Sequence, residues 1–241
     1  MKKINYEIKN NKLYLIPGNK FTVEEIKKKV NVTTEFPINE WNVEKLLDMS
    51  FLFSDSNFND NINNWDVSNV TNMHSIFYRT PFNQPINDWD TSNVIDMSYA
   101  FYESKFNQPI NNWNTSNVTD MAYLFSDSVF NQPLDKWDTS NVTNMKWLFS
   151  NSVFNQPLDK WDMRNVKIYS NMFRSSKYSY TLDNVKLPKY FRIGNTSLMG
   201  SKEGYEIFKK SLENPSKYLP QAKKILQKKY YKMLISKIFE F

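Results

Sequence analysis

The chain has 241 residues, of which 40% are apolar and 16% aromatic, and a net charge of +6. It contains no cysteine and a single histidine, His74. This composition excludes disulfides, cysteine-ligated metals and thiol nucleophiles, and it argues against a Ser–His pair. Only four glycines occur, and none forms a phosphate-binding loop. We therefore predict no catalytic residue, no cofactor and no metal site, and a protein that is not an enzyme.

The positive charge is concentrated near the C-terminus. From Lys202 onward ten lysines accompany four acidic residues, so this part accounts for the whole +6. No run of 18 apolar residues is present, and no apolar segment follows the basic N-terminal residues. These features predict an intracellular protein without a membrane span.

The first 35 residues are predicted to form an N-terminal cap. Apolar and polar residues alternate in 4–8 and 13–15 around Asn10-Asn11, which is typical of a β-hairpin ending at Pro17-Gly18. Thr22 and Glu25 then have the capping-box spacing that begins a helix, predicted to reach about Val30. A separate binding module is the alternative reading of this block.

A 24-residue repeat fills residues 36–184. A fixed period of this length is the signature of stacked repeats that bury their apolar faces against their neighbours. Three columns of large apolar residues mark it: Trp at 41, 65, 89, 113, 137 and 161, Met at 49, 73, 97, 121 and 145, and Phe at 53, 77, 101, 125, 149 and 173.

Within one repeat, the apolar spacing predicts local structure. Ile86, Trp89 and Thr91 have the spacing of the strand in leucine-rich repeats, which predicts a short parallel strand. Residues 97–101 have a spacing near 3.6, which predicts one helical turn. The Phe-Asn-Gln-Pro stretch at 106–109 is predicted to be the corner before the next strand.

Two polar columns are predicted to serve the turns. The Asn column at 69, 93, 117, 141 and 165 follows the predicted strand, where an amide can bond to backbone groups of adjacent repeats. The residue after each Trp is Asp or Asn, and we predict that it accepts hydrogen bonds from nearby backbone or hydroxyl groups, as in an Asx-turn. A ladder of calcium ions is the alternative use of these carboxylates.

The motif Trp-Asp-Thr-Ser-Asn-Val-Thr-Asn-Met at 137–145, with Phe-Asn-Gln-Pro-Leu following, resembles the repeat of BspA-like leucine-rich proteins. This form is frequent in mollicute surface lipoproteins and also occurs in large DNA viruses, so the resemblance implies the cell surface or a virion as the alternative location. The resemblance implies an α/β repeat, an LRR-like right-handed solenoid with short parallel strands, and a role in interaction rather than catalysis. A hairpin-helix cap would precede it and a helical cap would follow it.

Residues 185–201 are predicted to be an irregular connection and 202–241 a basic helical region. Its longer helix places Leu219, Ala222 and Leu226 on one side, with lysines mostly elsewhere. Such a helix caps the array with its apolar stripe, or it binds an anionic membrane or nucleic acid. The candidate residues for anionic binding are Lys223, Lys224, Lys228, Lys229 and Lys232.

Positions that differ between repeats are the candidates for partner binding. Two residues after the Met, and one residue after the first Phe, the repeats carry several aromatic side chains. Aromatic residues are enriched at interface hot spots, although the rings would also suit packing over neighbouring repeats. The candidates are Tyr78, Tyr99, Tyr102, Tyr123 and Trp147. We therefore predict a protein-interaction or adhesin-like scaffold, with a structural component of a larger assembly as a further alternative and no prediction of oligomeric state.

Overall fold

The computed structural model describes residues 1–29, 36–179, 185–187, 210–211 and 213–225. The chain begins with strands β1 (Ile4–Lys9) and β2 (Lys12–Phe21), which pair in antiparallel fashion. Helix α1 (Val23–Lys29) and a short 3-10 helix (Ile38–Glu40) follow. After the repeats, helix α2 (Pro215–Ile225) is the last described element.

The predicted hairpin and capping box are both confirmed. Asn10 and Asn11 have φ of 48° and 56°, the left-handed pair that a two-residue hairpin turn requires. The Thr22 hydroxyl accepts from the Glu25 amide at 3.2 Å, and the Glu25 carboxylate accepts from the Thr22 amide at 2.8 Å. These reciprocal bonds fix the start of α1.

The prediction that Pro17-Gly18 ends the hairpin is wrong. Strand β2 continues to Phe21, and the register shifts so that Ile4 pairs with Phe21 while Asn5 pairs with Ile16. The extra residues bulge out between these two pairs. Gly18 lies close against the Asn5 side chain, where a Cβ atom would collide with the amide. A proline is tolerated in such a bulge because no ladder bond is needed from it.

The hairpin is joined to the first repeat through the backbone. Leu15 N–H donates to Asn42 O and Asn42 N–H donates to Leu13 O, both at 2.8 Å. Leu13 and Leu15 are fully buried in the same core cluster as Trp41. The hairpin therefore covers the apolar start of the array.

Backbone hydrogen bonds join each repeat to the next. We define the Met segment as the seven residues that begin at each Met, for example Met97–Glu103. In five successive repeats its first, third, fifth and seventh amides donate to carbonyls 23 residues further on, giving twenty bonds of 2.7–3.1 Å. Single-residue parallel bridges run beside them from Asp48 through Asn72, Asp96, Asp120 and Asn144 to Ile168. Neighbouring repeats therefore lie side by side in the same register.

The Met segment contains overlapping turns and not the predicted helical turn. In repeat 97–103, Ala100 N–H bonds to Met97 O and Ser104 N–H bonds to Phe101 O. Tyr99 and Glu103 have φ of 57° and 48°, which a right-handed helix does not allow. Turns of this kind also bury the first, fourth and fifth residues, and this spacing is the one that suggested a helix.

The predicted strand at Ile86–Thr91 is also absent. Ile86 and Trp89 instead close a turn, with Trp89 N–H bonded to Ile86 O at 3.3 Å. Outside β1 and β2, the described residues form no extended strand, and the parallel bridges between successive repeats lie at the residue before each Met. The residue after a Trp forms such a bridge only at the two ends of the described array, at Asn42 and Asp162. The LRR-type spacing thus marks buried side chains, while the parallel bridges between repeats form seven residues after each Trp.

The core consists of aromatic columns that run through the repeats. Rings of the Phe column are stacked at centroid distances of 5.4–5.8 Å from Phe53 to Phe173. A second column from Phe58 to Phe154, ending at Tyr178, packs against the first within each repeat. The predicted core positions are confirmed, since the Trp, Met and Phe columns are buried throughout.

Polar side chains complete the contacts between repeats. The indole N–H of each of five Trp residues, from Trp65 to Trp161, donates to a backbone carbonyl 27 residues earlier at 2.7–3.1 Å. The Asn column donates from its side-chain amides to carbonyls 25 residues earlier, as predicted. The Asp or Asn after each Trp accepts from an amide two residues on, which confirms the Asx-turns.

At the other end, the three residues 185–187 lie beside the last Trp. Met163 N–H donates to Lys186 O at 2.7 Å, and Lys186 N–H donates to Trp161 O at 3.2 Å. Val185 is buried in the common core. This pairing mirrors that of the hairpin with Asn42, so both ends of the array are covered next to a Trp.

The indole hydrogen bond provides a direct test of the core. Trp113 is buried and bonds to Ile86 O at 2.9 Å, so Trp113→Phe removes volume and one of the two hydrogen bonds that this carbonyl accepts, the other coming from Trp89 N–H. We expect a loss of about 2–4 kcal/mol in the free energy of unfolding, measured by urea denaturation. Trp147→Phe is the matched control, because this half-exposed indole has no hydrogen bond among the described residues, and it should cost less than about 1 kcal/mol. Equal losses for the two variants would contradict the assigned role of the indole.

Candidate functional site: an aromatic strip

The turns of the Met segment decide which side chains face outward. Its first, fourth and fifth residues are buried, as in Met121, Leu124 and Phe125. Its third residue has a left-handed backbone with φ of 54–58° in every repeat, and the rings at this position are half-buried or exposed. The larger side chains at the second, third, sixth and seventh positions are therefore the ones that reach the surface, whereas most serines and alanines there are buried. These four positions are also those where the repeats differ most.

Aromatic side chains from these columns form a continuous surface. We define the aromatic strip as the rings of Phe51, His74, Tyr78, Tyr99, Tyr102, Tyr123 and Trp147. Each ring lies 4.4–6.4 Å, centroid to centroid, from at least one other member. Tyr99, Tyr123 and Trp147 form one stack, with distances of 4.4 and 5.8 Å. Tyr78 and Tyr102 form a second at 5.0 Å.

Within most Met segments, a large side chain at the third or sixth position is accompanied by a small one at the other. Where the third position carries a ring, as in Tyr123 and Trp147, the sixth is a serine that is almost fully buried, Ser126 at 1% and Ser150 at 0% exposure. Where the sixth position carries Tyr78, the third is the buried Ser75. Only the repeat with Tyr99 and Tyr102 carries rings at both. The strip is thus closely packed and offers ring edges rather than a deep cavity.

Charged side chains flank the strip at both ends. Arg79 lies 5.5 Å from the Tyr78 centroid and forms an ion pair with Glu103 at 2.8 Å. At the other end, Arg174 lies 5.1 Å from the Trp147 centroid and Lys146 lies 5.9 Å from the Tyr123 centroid. A cation over an aromatic face is attracted by the ring quadrupole, so these groups help to hold the rings in place.

Two tyrosines of the strip are difficult to ionise. Burial, followed by the neighbouring Tyr123, raises the pKa of Tyr99 to about 12. Burial, followed by a hydrogen bond with Glu103, raises the pKa of Tyr102 to about 12. Both phenols are therefore neutral hydrogen-bonding groups over the physiological range.

The five aromatic residues predicted from the sequence all belong to this strip. The prediction missed Phe51, His74, Lys146 and Arg174. His74 Nδ1 lies 2.6 Å from Ser98 Oγ, and its ring contacts those of Phe51 and Tyr99 edge-on. Phe51 and Arg174 occupy the same columns as the tyrosines, so their position in the repeat was the signal that could have found them. His74 and Lys146 lie one residue after the Met, in a column that carries no tyrosine in the repeats of the strip.

The basic C-terminal site lies mostly outside the described residues. Lys223 is exposed on α2, while the side chain of Lys224 and the whole of Lys228, Lys229 and Lys232 lie outside. Ala222 on the same helix is fully buried. Among the described residues, no helix is long and apolar enough to cross a membrane. In the same part of the chain, no group of three or more acidic or histidine side chains is arranged to hold a metal ion.

The raised pKa of Tyr99 can be tested by titration. Its folded pKa exceeds the unfolded value of 10.0, so the resulting stability is complete below pH 10 and is lost as the pH rises through about 12. Tyr99→Phe keeps the ring stack and removes the phenol. The difference in phenolate absorbance between the wild type and this variant should rise with pH and have its midpoint near pH 12. A midpoint at the ordinary value would contradict the packing described for the strip.

Comparison with known proteins places the array in a family. The family model described as "Mycoplasma protein of unknown function, DUF285" matches residues 21–127 and again residues 80–185. Together the two matches cover more than half of the chain, including the repeats that carry the strip. No curated protein and no solved structure matches the chain. The chain therefore belongs to the DUF285 family of mollicute-type repeat proteins.

Proposed function

We propose that the protein is a non-enzymatic interaction scaffold that binds a protein partner through the aromatic strip. The observation that carries this proposal is the row of half-exposed rings, which spans the Met segments from Phe51 to Trp147. Tyr and Trp supply large, rigid contact areas with few rotatable bonds, and they dominate hot spots at protein interfaces. Here the rings are already ordered by stacking, so binding costs little side-chain entropy.

The direction of the rings favours a protein over a glycan. A sugar stacks on an open ring face, but the Tyr99, Tyr123 and Trp147 faces are turned toward one another. Arg174 lies over the Trp147 ring. Ring edges, phenolic hydroxyls and the Trp147 N–H are therefore the groups on offer, and they suit apolar side chains and backbone carbonyls of a protein.

We also propose that the array is an LRR-like right-handed solenoid of the BspA-like type, working inside the cell. The supporting observations are the bonds between repeats, the parallel bridges and the match to a repeat family. A surface or virion location remains the alternative. Membrane or nucleic-acid binding by the basic helix stays a prediction, because its lysines lie mostly outside the described part. A role in a larger assembly also stays a prediction.

Replacement of single rings tests the proposed surface. Tyr123→Ala and Trp147→Ala should each weaken capture of a partner from the source cell by about 2 kcal/mol or more, roughly thirtyfold, because each removes a central anchor. Tyr14→Ala is the control, since Tyr14 lies on the hairpin away from the strip. Near-ultraviolet circular dichroism establishes that each variant is folded. A partner that binds the wild type and the three variants equally well would show that the strip is not the binding surface.

A further inference from the structure

We infer that the end of the strip formed by Tyr123, Lys146, Trp147 and Arg174 binds an acidic side chain, Asp or Glu, on an extended segment of the protein partner. We call these four residues the cationic end. The inference rests on the proposed function and adds the chemistry of the partner.

The described residues place no carboxylate in an ion pair with the cations at this end. Among the described residues, neither Lys146 nor Arg174 has a carboxylate within ion-pair distance. The other two described arginines are both paired, Arg79 with Glu103 and Arg164 with Asp162. The aromatic strip thus has a neutralised cation at one end and unneutralised cations at the other.

Nearby acids are already engaged by neutral groups. Asp120 accepts from the Asn144 side-chain amide at 3.0 Å, and Asp127 accepts from the Asn151 amide at 3.0 Å and the Ser126 hydroxyl at 2.7 Å. These bonds hold the two carboxylates against neutral side chains and not against Lys146 or Arg174. The charge of Lys146 and Arg174 therefore remains available to a partner.

The contacts with the rings orient these cations for binding. Arg174 lies over Trp147 and Lys146 over Tyr123, so both long side chains rest on rigid aromatic surfaces. Arginine presents parallel N–H groups that match a carboxylate. Trp147 adds an indole N–H without a hydrogen-bond partner among the described residues, whereas the Trp residues of the core all donate to the backbone.

The distribution of charge along the strip favours a peptide over a nucleic acid. Asp55, Glu103, Asp120 and Asp127 occur at intervals beside the rings. Such carboxylates repel a phosphate backbone that follows the strip, because a nucleic acid carries a charge at every step. A peptide with one or two acidic residues at the cationic end, followed by apolar residues along the rings, avoids this repulsion.

A displayed library of random linear peptides tests the inference on the full chain. Peptides selected on the wild type should be enriched in Asp or Glu next to aromatic or aliphatic residues. Individual synthetic peptides should bind about tenfold or more weakly to Arg174→Gln and to Lys146→Gln, and binding should weaken as salt is raised. Arg164→Gln and Lys160→Gln remove the same charges away from the strip and should leave binding unchanged.

The outcomes separate this inference from the proposed function. The inference would be overturned by peptides that require Tyr123 and Trp147 but lack acidic residues. It would also be overturned by peptides that bind Arg174→Gln as tightly as the wild type. In both cases the strip would still be a binding surface. Selection of no peptide that depends on these rings would overturn both. Tighter binding of a single-stranded oligonucleotide at the same residues would replace the acidic peptide with a nucleic acid and also overturn the inference.

Discussion

The structure depends on the backbone hydrogen bonds that run from each Met segment to the next repeat. They require alternate amides to point along the array, and this is achieved by left-handed φ at the third and seventh positions, none of which is a glycine. Such residues cost about 1–3 kcal/mol each and persist only where surrounding contacts fix them. Here the same residues, such as Tyr99 and Glu103, donate the bonds that join the repeats, which offsets the strain.

This constraint separates the scaffold from the binding surface. The first, fourth and fifth residues of each Met segment are fixed by the core, and the Trp, Asn and Asx positions are fixed by bonds to backbone groups. The larger side chains of the remaining columns face outward, while the backbone amides at the third and seventh positions donate the bonds to the next repeat whatever side chain they carry. Replacement there changes the surface without changing the register, so rings and charges such as Trp147 and Arg174 occur there. Function is therefore expected in the positions that vary.

The sequence was sufficient to predict the buried columns, the Asn and Asx bonds and the hairpin with its capping box, because these follow from spacing and side-chain chemistry. It failed for backbone conformation. The spacing of Met97, Ala100 and Phe101 fits a helix and also the turns that are present, and bulky residues such as Trp147 are rarely left-handed. The structure brings the predicted aromatic candidates together in one strip, and their binding role stays a prediction. The lack of an ion pair at Lys146 and Arg174 among the described residues depends on which groups the neighbouring acids bind, and only the structure reveals this.

The central claim is that a register of 24 residues holds the array together, and deletion of one repeat tests it most directly. Removal of residues 92–115 joins Thr91 to Ser116 and restores every column, whereas removal of 92–113 joins Thr91 to Asn114 and shifts them. Urea denaturation followed by tryptophan fluorescence is the measurement. We expect the 24-residue deletion to unfold in one cooperative transition with a reduced free energy of unfolding, and the 22-residue deletion to show no such transition. Equal behaviour of the two deletions would contradict the account.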